Sequence, residues 1–143
     1  MHTTSVIQAW HQVVQQRDMA GLGRLLADEV VFHSPVVHTP QQGKAITFKY
    51  LQGALLVLNN SSFRYEREIV GEHDAMLEFS TVIDGIQING VDLIRWNDAG
   101  QIIDFKVMVR PLKAVNMLHQ KMGDMLARLQ PAQPAQAQQL PQP

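Results

Sequence analysis

Few residues of this chain could do chemistry, and one carboxylate stands apart by its surroundings. Asp92 lies between Val91 and Leu93, in a run whose alternate positions, Ile88, Gly90, Ile94 and Trp96, are largely apolar. Strand alternation turns those positions to one face. Burial on that face would disfavour the charged carboxylate and raise its pKa, so Asp92 is suited to act as a polar anchor, a neutral donor or an acid–base group. The plainer alternative is a carboxylate bonded to neighbouring backbone or to Trp10.

His33 is the obvious base, because its ordinary pKa lies near neutrality. Alternation nevertheless places it opposite Phe32 and Ser34 unless the Pro35 turn rotates the strand end, which favours a sheet-face or interface histidine. Ser34 as a nucleophile needs a histidine base and a third orienting group that the sequence does not place, so it reads as a donor to ligand or a cap. Trp10, Ser34, Tyr50, Phe105 and His33 form the candidate ligand-contacting set, although aromatics on a helix stripe are commonly plain core. His38 is a loop residue, either solvated or a gate. Met108, Met117, Met122 and Met125 could form an adaptable lid or simply fill irregular space.

Other chemistries find little footing. Cysteine is absent, which removes disulfides, thiolate metal sites and cysteine nucleophiles. His33, His38 and Asp92 lack metal-site spacing, and no glycine-rich loop follows a strand to open a helix, so no metal and no cofactor is expected. A net charge of −1 without any Lys/Arg cluster argues against nucleic acid. The longest apolar run, Ala54 to Leu58, is too short for a bilayer and the first residues lack a secretory pattern, so a soluble cytoplasmic protein is the expectation.

The elements that must position Asp92 follow from periodicity. The 143 residues, 45% apolar and 17% charged, suit one domain over 1–129 and a disordered Pro/Gln/Ala tail over 130–143. Ser5 and Gln8 fit a capping box ahead of a helix with Val6, Trp10, Val13 and Val14 on one face. Asp18 caps a second helix, Val30 to Ser34 is a short strand ended by Pro35, and Gly43 to Leu58 is helical. Four strands follow: Phe63 to Val70, Met76 to Ile83, Ile86 to Trp96 and Ile102 to Val109. Asp84-Gly85 and Asn97 to Gly100 are their turns, and Asn89-Gly90 is expected to be a bulge. A last helix runs from Pro111 with Leu112, Leu118, Met122 and Leu126 on its apolar face.

This pattern predicts an α+β fold, a curved antiparallel sheet wrapped around the N-terminal and central helices with a C-terminal helix. At this level the order of elements, the segment from Asp28 to Val36, and Val91-Asp92-Leu93-Ile94-Arg95-Trp96-Asn97 with its Gly100 turn resemble the nuclear-transport-factor-2-like superfamily. SnoaL-like proteins are the nearest match, over roughly Ser5 to Leu129. The resemblance implies a cone-shaped domain and a homodimer joined through the outer sheet face, where Leu93 and Met108 mix with Arg95, Asp104, Lys106 and Arg110.

Matched to ketosteroid isomerase, Asp92 takes the place of the oxyanion aspartic acid, Trp10 that of its tyrosine and Ser34 that of its base. Matched to limonene epoxide hydrolases, Asp92 takes one aspartate, while Gly90 and Val107 stand where the arginine and second carboxylate are expected. The expected function is therefore binding of a small, mainly apolar organic molecule oriented by Asp92. Cofactor-free isomerisation, cyclisation or hydrolysis is the catalytic form of that expectation. A non-catalytic dimeric interaction module is its rival.

Overall fold

The chain alternates between elements that cannot stand alone and must cover one another. The computed structural model describes residues 3–129, so the 130–143 tail lies outside the described residues. Helix α1 (Thr3–Gln16) buries Val6, Ile7, Trp10, Val13 and Val14, the stripe that its period requires. It begins ahead of the Ser5–Gln8 box and closes at Arg17, whose φ of 52° lets the Asp18 amide bond back to the Val13 carbonyl. Asp18 then caps α2 (Met19–Leu25) through Oδ1 to the Gly21 amide at 2.9 Å. A Cβ on Gly21 would stand 2.5 Å from the cap's other oxygen, so glycine makes room for the carboxylate.

Strand β1 (Leu26–His33) starts without a loop, β2 (Gln41–Gln42) is a two-residue edge, and α3 (Lys44–Leu58) follows Gly43. The strands β3 (Arg64–Val70), β4 (Asp74–Ile83), β5 (Ile86–Trp96) and β6 (Ile102–Arg110) form a meander, and α4 (Leu112–Leu129) closes the chain. Sheet order is β2-β1-β6-β5-β4-β3. The α+β class holds, with one refinement: β1 pairs parallel to β6, so the curved sheet is mixed. The edge strand β2, helix α3 and strands β3 to β5 separate the paired strands in sequence, long enough to bring the chain back in the same direction.

The turns form as their residues require. Asp84 and Gly85 take φ of 51° and 77° at the β4–β5 hairpin, and Gly100 takes 80° after Asn97. The expected bulge at Asn89-Gly90 is absent, because both residues pair in unbroken register with β4 and β6. Asn89 instead reaches across to Glu78 and the Phe79 carbonyl, and Gly90 is there for space: a Cβ would meet Phe79 Cζ at 2.5 Å and the Met108 carbonyl at 2.6 Å. Register shifts fall instead between Tyr65 and Arg67 on β3, on β6 opposite Arg95 and Trp96, and between Leu26 and Val31 in the β1–β6 ladder.

The inner face carries Leu77, Phe79, Ile88, Ile94 and Phe105 against α1, α3 and α4. On the outer face one cross-strand row runs from Lys106 through Leu93 and Met76 to Ile69, and a second joins Met108 to Val91 and Glu78. No helix among the described residues is long and apolar enough to cross a membrane.

Candidate functional site

Asp92 occupies the middle of β5, paired with Leu77 on one side and Val107 on the other. Its inward neighbours along the strand are Gly90 and Ile94, and only 6% of its surface is exposed. A carboxylate so deprived of water must find partners. Tyr65 of β3 supplies one, donating its hydroxyl to Asp92 Oδ2 at 2.7 Å. Trp10 of α1 completes the chain, donating Nε1–H to the Tyr65 oxygen at 2.9 Å.

The direction of this chain is fixed by its first member. Indole nitrogen donates and never accepts, so the single hydroxyl hydrogen of Tyr65 must point to Asp92. Oδ2 is thereby held as an acceptor, and any proton on Asp92 sits on Oδ1. No hydrogen bond reaches Oδ1 among the described residues, while Asp92 lines the cavity beside it.

Burial pushes the Asp92 carboxyl up to about 7, against the opposing pull of the Tyr65 hydrogen bond, which favours the anion. Tyr65 is raised well above an ordinary phenol, first by burial and then by the charge of Asp92 and the hydrogen bond to it. The Trp10 bond pulls the other way, and Glu68 adds a smaller push. Tyr65 is accordingly a neutral donor throughout the physiological range. Its ring is set edge-on to Phe63 at 5.2 Å and to His11 at 5.1 Å, and His11 is itself tied to Glu68.

The cavity encloses about 60 Å³ and is walled mostly by carbon: Phe32, Leu51, Leu55, Phe79, Phe105, Val107, Leu118 and Met122 among others. Trp10, Ser34, Tyr50, Asp92 and Phe105, singled out from sequence, all line it. Trp10 packs on Phe105 with ring centres 4.9 Å apart, and Tyr50 lies 5.5 Å from Phe32. Ser34 Oγ accepts from the amides of Val36 at 3.1 Å and Val37 at 3.3 Å, so it also shapes the turn after β1.

His33, the remaining member of the candidate ligand-contacting set, does not line this cavity: its Nε2 meets Asp104 Oδ1 at 2.9 Å, on the face to which strand alternation carries it. His38 is exposed in the following loop. Among the described residues no group of three or more His, Asp or Glu is placed to hold a metal ion.

Tyr65 is the residue that sequence reasoning missed. The charges at Arg64, Glu66, Arg67 and Glu68 mark β3 as an exposed edge, and simple alternation would send Tyr65 to the same face as Arg67 and Ile69. The register shift between Tyr65 and Arg67 separates them, leaving Tyr65 beside Asp92. An aromatic two residues after Phe63 was the available signal.

Comparison with known proteins agrees with this architecture. Residues 7–105 match the family model described as SnoaL-like domain. A steroid delta-isomerase from Pseudomonas aeruginosa is 35% identical, with a TM-score of 0.83 over 88% of this chain and 92% of that one. An uncharacterized protein with a cystatin-like fold from Silicibacter pomeroyi is 34% identical, with a TM-score of 0.77 over 87% and 85%. An NTF2-like protein of unknown function from Mesorhizobium loti is 23% identical, with a TM-score of 0.66 over 76% and 91%, and speaks for the fold alone. No curated protein sequence matches the chain. A family match across most of the folded residues, joined to the cone-shaped sheet, shows that the chain belongs to the SnoaL-like domain family, with the nuclear-transport-factor-2-like fold.

Proposed function

We propose that this protein binds a small, mainly apolar organic molecule in the cone and holds it through Asp92. The observation that carries this reading is one oxygen, Oδ1, left open at the end of a donor chain in a cavity walled by hydrocarbon. Pockets of this type combine apolar bulk with a few oriented polar groups.

Proton exchange with the bound molecule is the catalytic form of the same reading, favoured by a carboxyl that titrates near neutrality and by 35% identity to a steroid delta-isomerase. Ionised Asp92 would take a proton from the carbon beside a ligand carbonyl. The electron pair would move into the enolate, and the acid so formed would return the proton to the same carbon or, where a double bond is conjugated with the enolate, to the far end of that double bond, with no co-reactant. Cyclohexanone in D₂O tests both forms: binding by ligand-observed NMR, exchange by loss of the α-proton signal. Asp92→Asn should slow protein-dependent exchange by about 10²-fold or more while binding weakens less than about tenfold. Exchange that survives the substitution removes the catalytic form, and absence of binding to the parent removes the ligand site.

Assembly belongs to the same proposal. Leu93, Met76 and Ile69 in one row, bordered by Met108 and by Arg95, Asp104 and Lys106, make a mixed face suited to pairing with itself in a homodimer. Ile69 is 60% exposed and Met108 50% in the single chain. Leu93→Arg should halve the mass seen by sedimentation; a monomeric parent would end this idea.

A further inference from the structure

Two polar groups of the cavity wall, Asp92 and Ser34, keep hydrogen-bonding capacity that the fold does not use. Trp10 and Tyr65 spend their donors within the chain to Asp92. Ser34 Oγ receives two amides, from Val36 and Val37, which occupies both lone pairs. Its hydroxyl hydrogen has no acceptor among the described residues, so toward the cavity Ser34 can only donate. Asp92 has no cation among the residues lining the cavity, and its proton has only Oδ1 to occupy. Protonated Asp92 and Ser34 therefore both offer a donor to the cavity, beside the hydroxyl of Tyr50.

Their spacing follows from the sheet. Phe32 pairs with Phe105 and His33 with Lys106 in the parallel ladder, and that register continued by one residue past the end of β1 brings Ser34 level with Val107. Val107 pairs in turn with Asp92. Ser34, Val107 and Asp92 thus stand in one cross-sheet row, with backbones at the two ends separated by two strand spacings, roughly 10 Å. Val107 forms an apolar floor between the donors, and Phe105 and Phe32 flank it.

We propose that the ligand is an uncharged molecule with hydrogen-bond acceptors at both ends of a short apolar body, one end taken by Asp92 Oδ1 and the other by Ser34 Oγ. This rests on the reading of the cone as a ligand site. It names the substrate class as small dicarbonyl-like compounds, such as diketones and keto-esters, and excludes carboxylates, whose charge would lie in an apolar cavity without a cation. Ser34 is on this account the residue that separates two-acceptor from one-acceptor molecules.

The test compares cyclohexane-1,4-dione with cyclohexanone, matched in size and differing in one acceptor, by titration against the parent, Ser34→Ala and Ser34→Thr. Ser34→Ala should weaken the dione about fivefold, the worth of one neutral hydrogen bond, and leave cyclohexanone within about twofold. Ser34→Thr retains the hydroxyl and should restore the dione. Equal weakening of both probes would mean that Ser34 acts only through the turn it caps and would overturn the proposal, as would no weakening of either. If neither probe binds the parent, the ligand-site reading itself fails, and this inference with it.

Discussion

Asp92→Asn is expected to melt higher than the parent at pH 8 and at nearly the same temperature at pH 4.5. The native carboxyl titrates at about 7 against an ordinary value of 3.8, so between those limits the folded chain holds a proton that the unfolded chain has lost. Stability therefore falls as pH rises through this window and levels off above about 7, where both states are ionised. A span of about three pH units at 1.36 kcal/mol each is on the order of 4 kcal/mol. Asparagine keeps an oxygen to accept from Tyr65 and carries no charge to desolvate, so the variant escapes the loss. For a domain of this size the difference at pH 8 corresponds to roughly 10 °C in melting temperature. Circular dichroism melts of both chains from pH 4.5 to 8.5 isolate the effect, because other titrating groups act on both curves alike. Parallel curves would show that Asp92 is not a buried, neutral-range acid. A higher-melting amide at this position would support the proposed role of Asp92, because a stability penalty kept in place is expected where function and stability trade off.

How much of this was legible in the sequence depended on the range of the interaction that decides each feature. Local signals sufficed for the Asp84-Gly85 hairpin, the Asp18 cap and the Asn97 to Gly100 turn, since each is set by backbone conformations that the residues themselves prefer. Asp92 was legible because its strand alternates cleanly, from Ile88 to Trp96. Long-range pairing was not. Nothing within Leu26 to Val30 announces a parallel partner at Ile102, and Asp28 and Glu29 disguise the first half of β1 as loop. Gly90 read locally as a bulge former, whereas its reason lies across the ladders in Phe79 and Met108. The candidate site divides the same way: Trp10, Ser34, Tyr50 and Phe105 were found by face and position. Tyr65 needed the irregular register of β3, and the cavity's size needed every wall at once.

Tyr65→Phe is expected to have the second large effect, and its pH dependence separates the roles of the phenol. Removing that oxygen leaves the Trp10 N–H buried without an acceptor, at about 1–3 kcal/mol at any pH. It also removes the donor to Asp92 Oδ2, which matters most once Asp92 is ionised, where a hydrogen bond to a charge is worth about 1.5–3 kcal/mol. The two losses add at pH 8 and only the first remains in full at pH 5. Because the Tyr65 bond is what pulls the Asp92 carboxyl down against burial, its loss moves the titration still higher. The folded chain then keeps its proton to a higher pH, so the fall in stability extends further into the alkaline range than in the parent. Carbon-detected NMR of the Asp92 carboxyl reads that shift directly. Trp10→Phe added to Tyr65→Phe should recover part of the pH-independent loss, since no orphaned donor remains, and should leave the shifted titration where it was. An unmoved Asp92 titration in Tyr65→Phe would mean that the phenol merely fills space. A shifted titration reversed by Trp10→Phe would mean that the indole, not the phenol, governs the acid.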